Sequence, residues 1–389
     1  MDKLKISLIA FPGAPKKVFE QGEKILMSKF KNVDIQINTD NSDALFVLTG
    51  GSEKQAQQLL KGLKRVLILA VTSNNSYAAA TEIKSYCNDH HINAVLYNVD
   101  YENNLQEKIY NYIKSIQALK KISNYKIGLI GNVSEWLINS DIKPDILQNK
   151  WGIEVQKIVW SEYPEYSSFE DHKSFSESFK TNENFDLTDS SKVYNLLNHI
   201  ITKNKLDAIT VECFPLVRQH AVTACLALSK FNTDRFPAGC EGDMTSVIGK
   251  IITKELTGKI PWMANLAAIE ESKVLLAHCT IATDLVEEYT IKTHFETNEG
   301  TAVQGQFKAK EVTIFRLNNL LNKAFISFGM VTDTPKRNDA CRTQIMVNTE
   351  NGDTQKLKEN PLGNHHLVIP GNHLQLLHYF CFMNQIEVL

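Results

Sequence analysis

The sequence predicts an α/β protein in which two doubly wound parallel-sheet domains precede an antiparallel β domain. Two patterns support this prediction. In the first two thirds of the chain, short apolar runs rich in β-branched residues alternate with stretches of helical spacing, which is typical of parallel strands covered on both faces. After about residue 266, strand-like runs follow one another with polar turns between them, which indicates an antiparallel sandwich or barrel.

The first domain is predicted over residues 1–124. Its strand-like runs are KISLIAF (5–11), VDIQI (33–37), ALFVLTGG (44–51), RVLILAV (65–71) and NAVLYNV (93–99). Helical patterns at 53–63 and 105–121 separate some of these runs. Ligands of such sheets bind beyond the carboxyl ends of the strands, where LTGGSEK (48–54) lies. The sequence contains no GxGxxG motif, so it gives no support for a dinucleotide site.

The second domain is predicted over residues 125–262 and repeats the same Rossmann- or flavodoxin-like pattern. Its strand-like runs are KIGLIG (126–131), VQKIVW (155–160) and LDAITVECF (206–214), and its helical patterns lie at 192–203 and 218–231. GNVSEWLI (131–138) is expected to form a strand-to-helix turn. A polar segment, Ser161–Ser191, interrupts this pattern and contains regularly interleaved Tyr and Phe residues. Its length and its aromatic residues predict a flap over a domain or subunit boundary.

The third domain is predicted over residues 263–389. Its strand-like runs are VLLAHCTI, YTIKTHFE, VQGQFKA, EVTIFRL, AFISFGMV and TQIMVN, and a short helix is expected after Asn372.

Composition restricts the possible functions. The net charge is −2, so the chain has no overall positive charge that would attract it to nucleic acid or membranes. Only six of the 42 basic residues are Arg, which leaves few groups for bidentate phosphate recognition. The seven Cys are scattered without a CxxC pair, which favours a reducing compartment over a structural zinc site. The N-terminal apolar run is too short for a signal peptide, and no apolar stretch reaches the ~20 residues of a membrane span. We therefore expect a cytoplasmic protein.

The segment CEGDMTSVIGKIITKELTG (240–258) contains two acids just before an amphipathic helix. Apolar residues at 244, 247, 248, 251 and 252 form one helical stripe, and Gly258 marks the C-terminal end. The ordinary interpretation makes Asp243 an N-cap and Glu241 a solvated loop residue.

Three histidines stand in GNHHLVIPGNH (363–373): His365, His366 and His373. Because Gly and Pro flank them, we expect turns from which side chains converge on a site. Carboxylates together with one imidazole suit Mn²⁺ or Mg²⁺. Such an ion can hold two adjacent sugar oxygens and polarise a carbonyl while a carboxylate moves the neighbouring proton. On composition and spacing alone, this chemistry is one candidate among several.

Four segments resemble the L-fucose isomerase and L-arabinose isomerase superfamily, and they follow one another in the order found there. They are CEGDMTSVIGKIITKELTG (240–258), PWMANLAAIE (261–270), VLLAHCT (274–280) and GNHHLVIPGNH (363–373). LTGGSEK and GNVSEWL resemble its smaller fucose isomerase-like members, so the resemblance covers nearly the whole chain. It implies interconversion of an aldose and a ketose, a hexose, deoxyhexose or pentose, through an enediol. It also implies a homo-oligomer, hexamer or trimer, with the site between the second and third domains.

The resemblance also assigns residues. Glu241, Asn265 and His366 match the metal ligands, and Glu241, Asp243 and Asn265 are the expected catalytic groups. Asn265 departs from the family, which has an acid there. An amide oxygen can ligate a hard cation, but it has no charge and accepts no proton at neutral pH. Asp243 or Glu270 are the expected substitutes.

Five residues are expected to contact the substrate. His278 matches a histidine that arabinose isomerases place at the metal, and Trp136 has a ring that can stack on a sugar. Glu212 and Arg218 flank the end of a strand, where ligands bind, although they could instead form an internal ion pair. His373 belongs to the histidine-rich segment.

Two alternatives stay open at this stage. Because of Asn265, the chain could be a non-catalytic sugar-binding or regulatory homologue with a degenerate metal site. It could also be an isomerase of a modified hexose such as a sulfonated sugar. The sequence does not identify the sugar, because side chains from several loops read its stereochemistry.

Overall fold

The computed structural model describes residues 3–31, 33–38, 42–179, 185–350 and 352–389. The chain divides into two compact units, Met1–Gln117 with Phe382–Asn384, and Ala118–Cys381 with Gln385–Leu389. The second unit contains both a parallel sheet and the antiparallel strands. The division into three domains at residues 124 and 262 stays a prediction.

The first unit is built on a five-stranded parallel sheet in the order β2-β1-β3-β4-β5. Its strands are β1 (Lys3–Ile9), β2 (Asp34–Ile37), β3 (Ala44–Val47), β4 (Arg65–Ala70) and β5 (Asn93–Asn98). The helices of this part of the chain are α1 (Lys16–Lys29), α2 (Glu53–Leu59), α3 (Ser76–Asp89) and α4 (Leu105–Ile122). All four residues of β3 are buried, as expected for a central parallel strand. The five predicted strands are confirmed, in a flavodoxin-like order.

The second parallel sheet has four strands in the order β7-β6-β8-β9. They are β6 (Lys126–Ile130), β7 (Glu154–Ile158), β8 (Ala208–Val211) and β9 (Ala238–Cys240). The helices are α5 (Pro144–Trp151), α6 (Lys173–Ser178), α7 (Thr188–Asn204), α8 (Phe214–His220), α9 (Cys225–Thr233) and α10 (Met244–Thr257). The single helix predicted at 218–231 is two helices, because Ala221 adopts a left-handed conformation that ends α8.

The antiparallel strands form a closed barrel. The elements are β10 (Trp262–Glu270), β11 (Lys273–His278), β12 (Val286–Lys292), β13 (Ala302–Phe307), β14 (Glu311–Leu317), β15 (Lys323–Asp333), β16 (Thr343–Thr349), α11 (Asp353–Glu359), β17 (His365–Pro370), α12 (Leu374–Met383) and β18 (Glu387–Val388). The sheet order is β14-β17-β10-β11-β16-β15-β18, and β14 also pairs with β15, which closes six strands on themselves. β12 and β13 form a separate hairpin.

Helix α10 packs between the second parallel sheet and the barrel. Its predicted stripe is confirmed, because Val247, Ile248, Ile251 and Ile252 are fully buried in one core with residues of both sheets. At Gly249 a Cβ atom would lie 2.4 Å from Leu367 Cδ1 of β17. The helix therefore approaches the barrel so closely that only glycine fits without a shift of that side chain.

Four strands were not predicted: β9, β10, β17 and β18. β10 follows directly after α10, and β17 contains His365 and His366, which we expected in a turn. The Gly residues at 363 and 371 do bound the segment, but HHLVIP between them pairs with β10 on one side and β14 on the other. Two ladders of backbone hydrogen bonds outweigh the turn signals on its flanks.

The polar segment at 161–191 packs by its aromatic rings onto its own unit, and residues 180–184 lie outside the described part. Phe175 stacks on Tyr194 of α7 with ring centroids 4.9 Å apart, and Tyr194 stacks in turn on Phe231 at the same distance. A role as a flap over a subunit boundary stays a prediction. Within the described residues, no helix has both the length and the apolar character needed to cross a bilayer.

Candidate metal centre

The candidate site lies at the carboxyl edge of the second parallel sheet. The chain passes from β6 to β7 on one side of β6, and then to β8 on the other side. Where the strand order reverses in this way, α/β sheets form a crevice at the carboxyl ends of the strands, and ligands bind in it. Glu241 directly follows β9, while His278 ends β11 and His365 begins β17. The parallel sheet and the barrel therefore both supply side chains, within one compact unit.

A strained turn directs the Glu241 side chain. Glu241 and Gly242 both have positive φ angles, 61° and 69°. The Gly242 N–H donates to the Val211 carbonyl (3.0 Å), and the Ser134 N–H donates to the Glu241 carbonyl (2.9 Å). A Cβ atom on Gly242 would lie 2.2 Å from the Asn132 carbonyl oxygen. A left-handed conformation at a non-glycine residue is costly and persists where the surroundings impose it, as they do here.

The Gly242→Ala substitution tests this turn. The added methyl group meets backbone, so we expect a loss of about 1–3 kcal/mol in the free energy of unfolding and weaker Mn²⁺ binding. Urea unfolding and Mn²⁺ titration measure the two effects. Gly258→Ala is the matched control, because Gly258 also has a positive φ but open space around it. Mn²⁺ affinity equal in Gly242→Ala and Gly258→Ala would contradict the role of the turn.

The Glu241 carboxylate faces two histidines. Its Oε1 lies 3.6 Å from His278 Nε2 and 3.5 Å from His365 Nε2. Its Oε2 accepts a 2.7 Å hydrogen bond from Trp136 Nε1. Burial alone would raise the pKa of Glu241, but the two histidines beside it hold this pKa well below its usual value. The side chain is only 14% exposed, so the prediction of a solvated loop residue is wrong.

Asp243 holds His365 in place. The His365 Nδ1–H donates to Asp243 Oδ2 at 2.8 Å, and both side chains are fully buried. The other oxygen, Oδ1, accepts from the Ser246 N–H and from the Thr245 hydroxyl, each at 2.7 Å. Asp243 is thus the predicted N-cap of α10 and also fixes which nitrogen of His365 points toward Glu241.

The two neighbouring carboxylates favour the charged form of His365. Burial alone would lower its pKa, but Glu241 and Asp243 raise it to about 9. For Asp243 the directions are reversed: burial alone would raise the pKa of this carboxyl group, but His365 and Arg316 lower it to about 2. Without a metal ion, the ring is therefore an imidazolium between two carboxylates at neutral pH.

The side chains fit a divalent cation to different degrees. Two ligands bonded to one ion at about 2.0–2.2 Å lie roughly 3–3.5 Å apart, close to the separations around Glu241 Oε1. The ligand atoms of Glu241, His278 and His365 all lie within 4.8 Å of one another. His365 Nε2 is buried and accepts or donates no hydrogen bond among the described residues. In the metal-free site the Nε2 proton of His365 forms only a 3.5 Å ion pair with Glu241, and a cation shared by this nitrogen and the carboxylate could replace that proton.

His278 fits the ion less well than His365 does. Its Nδ1 accepts from the Thr280 N–H at 3.1 Å, so the neutral ring has its proton on Nε2, facing Glu241. Ligation through Nε2 would move that proton to Nδ1 and break the contact with Thr280. Glu241 and His365 therefore fit a cation best, and His278 is a third group in range.

The chain is similar to two sulfoquinovose isomerases. They come from Priestia aryabhattai and from Priestia megaterium (strain ATCC 12872 / QMB1551), and each is 27% identical to it over 235 residues. The matched region covers 56% of this chain and 53% of each relative. The chain thus spans about half the length of the curated relatives it matches. No protein-family model matches the chain.

The structure replaces His366 by His365 as the candidate ligand. Adjacent residues of a strand point to opposite faces, and the His366 ring packs edge-on against Phe325 with centroids 5.8 Å apart. Its Nδ1 lies 2.9 Å from the Asn364 carbonyl, and burial lowers its pKa to about 3. The sequence supplied the pair, and only the pairing register of β17 shows which member faces Glu241.

Asn265 lies beside the site. It is directly opposite His365 in the antiparallel pairing of β10 and β17. Its Oδ1 accepts a 2.5 Å hydrogen bond from Asn364, and its Nδ2 lies 3.7 Å from Cys341 Sγ. A role for this amide as a metal ligand stays a prediction.

Neither Asp243 nor Glu270 is placed to supply the acid that is absent at position 265. Asp243 is bound by α10 and His365, so it positions a ligand and is not free to move a substrate proton. Glu270 lies five residues beyond Asn265 on β10, roughly 17 Å away at a rise of about 3.4 Å per residue. It pairs there with Arg337 at 3.6 Å.

The predicted substrate contacts divide into two groups. Trp136 binds Glu241, and Glu212 at the end of β8 accepts from the Asn132 N–H at 2.7 Å, so both lie in the crevice. Arg218 is exposed in the last turn of α8. His373 lies beyond the C-terminal end of β17, where its N–H donates to Thr313 Oγ1 at 2.9 Å and its Nε2 faces the Pro370 carbonyl. His365 is at the other end of the same strand, so the structure does not bring His373 together with His365 and Glu241.

The sequence analysis missed a loop of the β12–β13 hairpin. The buried His294 ring packs edge-on against Phe214, which packs edge-on against Trp136, with centroids 5.8 Å and 4.6 Å apart. The carboxylate of Glu296 in the same loop interacts electrostatically with Glu241 and His365. No motif spacing marks this loop. The sequence analysis assigned its first residues, THFE, to the strand-like run YTIKTHFE, whereas β12 ends at Lys292.

The charge of Asp243 can be tested apart from its capping role. Asp243→Asn keeps an oxygen for the N-cap but removes the anion beside His365. We expect a lower pKa for His365, a loss of about 1–3 kcal/mol in stability, and Mn²⁺ binding weakened about 10–100-fold. NMR titration of the His365 ring and calorimetric Mn²⁺ titration measure these effects. Thr245→Val, which removes a neutral hydrogen bond to the same carboxylate, should leave Mn²⁺ affinity nearly unchanged. An equal effect of both substitutions contradicts this assignment.

Divalent-ion binding should strengthen as the pH rises. His365 must lose its Nε2 proton to become a ligand, and its pKa is about 9 in the metal-free site. Below that pH, Mn²⁺ binding should release a proton and its affinity should increase up to about tenfold per pH unit. Calorimetry in buffers of different ionisation enthalpy counts the released protons. Binding without proton release near pH 7 would exclude His365 as a ligand.

Proposed function

We propose that this chain is a metal-dependent aldose–ketose isomerase. The observation that supports the proposal is the convergence of Glu241, His278 and His365 with an orphaned His365 Nε2. The proposed ion is Mn²⁺ or Mg²⁺, since a carboxylate and imidazoles suit such cations. The sulfoquinovose isomerase names of the relatives support a sugar isomerase independently of this geometry.

The residues of the site suit the chemistry of an isomerase. A divalent cation held by Glu241 and His365 would bind two adjacent sugar oxygens and stabilise negative charge on them. Glu241 is ionised, and the Trp136 hydrogen bond fixes its Oε2. A carboxylate in this state can accept the proton on the sugar carbon next to the carbonyl, which gives an enediol. Asp243 keeps the His365 ring aligned throughout.

The substrate class that we propose is a hexose modified by a sulfonate. The two relatives are named for sulfoquinovose, and the fold places the crevice where several loops can read a substituent. We also propose that the enzyme works as a homo-oligomer, hexamer or trimer, in the cytoplasm.

A sugar-binding protein without turnover is the second candidate. Asn265 favours this candidate. The L-fucose and L-arabinose isomerases that the sequence resembles have an acid at this position, whereas the amide of Asn265 cannot accept a proton. The two candidates differ in whether a bound sugar exchanges its C2 proton with solvent.

Exchange of that proton in D₂O tests the proposal. Wild-type protein with Mn²⁺ should exchange the C2 proton of at least one aldose in a panel containing sulfoquinovose, L-fucose, L-arabinose and their D-isomers. Glu241→Gln should abolish Mn²⁺ binding and lower the exchange rate at least 10²-fold. Glu270→Gln is the control, since it changes a carboxylate at the other end of β10, paired with Arg337, and should leave Mn²⁺ affinity and exchange near wild type.

The outcomes are distinct. Mn²⁺ binding with sugar binding but no exchange would favour the binding protein. Full exchange activity in Glu241→Gln would remove Glu241 from the reaction.

A further inference from the structure

One arginine beside the candidate metal centre has no acidic partner. Three of the six Arg residues pair with carboxylates: Arg235 with Asp284, Arg316 with Asp243, and Arg337 with Glu270 and Asp339. Arg342 forms no ion pair within the described ranges, although its guanidinium is held in place. We propose that Arg342 binds the sulfonate group of the substrate and so determines specificity for a sulfonated hexose. This inference rests on the proposed function, because it names a residue for the substrate class given there.

The residues on either side of Arg342 place its backbone at the edge of the site. Thr343, the first residue of β16, pairs with His278 in the antiparallel register of β11 and β16. Cys341 Sγ lies 3.7 Å from Nδ2 of Asn265, which is beside the site. Because consecutive Cα atoms are only about 3.8 Å apart, Arg342 begins one residue from the partner of a candidate ligand.

Three contacts fix the Arg342 side chain against the loop between β12 and β13. Nε donates to the Thr293 carbonyl at 2.7 Å, and Nη2 donates to the Thr293 hydroxyl at 3.1 Å. The central carbon of the guanidinium lies 5.8 Å from the centroid of the Phe295 ring, within the range of a cation–π interaction. His294, between these two residues, packs its ring against Phe214 in the crevice. The guanidinium is therefore preorganised on a loop that flanks the site.

These contacts leave one edge of the guanidinium available to a ligand. The group has five N–H bonds, and two of them donate to Thr293. The N–H bonds of Nη1 and the second N–H of Nη2 have no acceptor among the described residues. A sulfonate resembles a phosphate in presenting several oxygens to such an edge, which can bind two of them with parallel hydrogen bonds.

The position of Arg342 suits a group that reads the far end of the sugar. The proposed reaction takes place at C1 and C2, whose oxygens would bind the metal ion, whereas sulfoquinovose has its sulfonate on C6. The group that binds the sulfonate must therefore stand at the rim of the site and not among the ligands. Two buried cations are already bound elsewhere: Arg316 pairs with Asp243, and Lys250 donates to the Pro261 carbonyl at 2.9 Å.

Arg342→Gln tests the proposal with two sugars that differ only in the sulfonate, sulfoquinovose and quinovose. Wild-type protein with Mn²⁺ should prefer sulfoquinovose. In Arg342→Gln, KM for sulfoquinovose should rise about 10–100-fold, because a hydrogen-bonded charge pair is lost, while kcat and the values for quinovose stay near wild type. Arg342→Lys keeps the charge without the planar fork and should lie between the two. Calorimetric titration of the Mn²⁺-loaded proteins with both sugars gives the same comparison without turnover.

Arg337→Gln is the matched control. It removes a guanidinium from the loop just before β16, but this guanidinium is already paired with Asp339 at 2.8 Å. Both sugars should therefore bind it as they bind the wild type. Arg218→Gln removes the other arginine of this unit that forms no ion pair among the described residues, in the last turn of α8. It should keep the preference for sulfoquinovose.

The outcomes separate this proposal from the isomerase function. Equal losses for both sugars in Arg342→Gln overturn the proposal, since they indicate that Arg342 only holds the loop. Loss of the preference in Arg218→Gln, with Arg342→Gln unchanged, also overturns it. Wild-type protein that binds both sugars equally overturns the sulfonated substrate class together with this proposal. Preferential binding of sulfoquinovose that Arg342→Gln abolishes, without C2 exchange in the wild type, overturns the isomerase function and supports the sulfonate site.

Discussion

The buried contact between Asp243 and His365 determines the arrangement of the whole site. It joins the first turn of α10 to the first residue of β17, and so connects the parallel sheet to the barrel. Charges this far from water persist only when they are paired and hydrogen-bonded. Arg316 completes the pairing, because Nη1 lies 3.8 Å from Asp243 Oδ2 and also donates to the His365 carbonyl. The contact thereby aims the free nitrogen of His365 at Glu241.

Backbone strain and close packing place Glu241 opposite that nitrogen. The left-handed turn at Glu241 and Gly242 lies against the turn after β6, with no room for a side chain at Gly242. Such strain is retained where neighbouring structure imposes it, often at functional sites. Helix α10 follows this turn directly and packs closely on β17, because Gly249 has no side chain at the contact. The turn is therefore held at a fixed distance from β17. The relative position of Glu241 and His365 is thus a consequence of how one helix packs on two sheets.

The loop between β12 and β13 adds residues to the surroundings of the site that no sequence motif marks. Its buried His294 ring packs edge-on against Phe214, and Phe214 packs edge-on against Trp136. Trp136 Nε1 donates in turn to Glu241 Oε2. The surroundings of the Glu241 carboxylate therefore include a loop that lies far from it in the sequence.

The sequence by itself determined the strands of the first parallel sheet, three of the four strands of the second, most of the antiparallel strands, and the stripe and the N-cap of α10; it also singled out Glu241. These features follow from local periodicity and capping, which a single segment contains. Only the tertiary structure decided that His365 and not His366 faces Glu241, because the register of β17 against β10 fixes the face of each residue. It also separated His373 and Glu270 from the site and brought His294 into the ring contacts that lead to Trp136, since distances between segments far apart in sequence depend on how sheets pack.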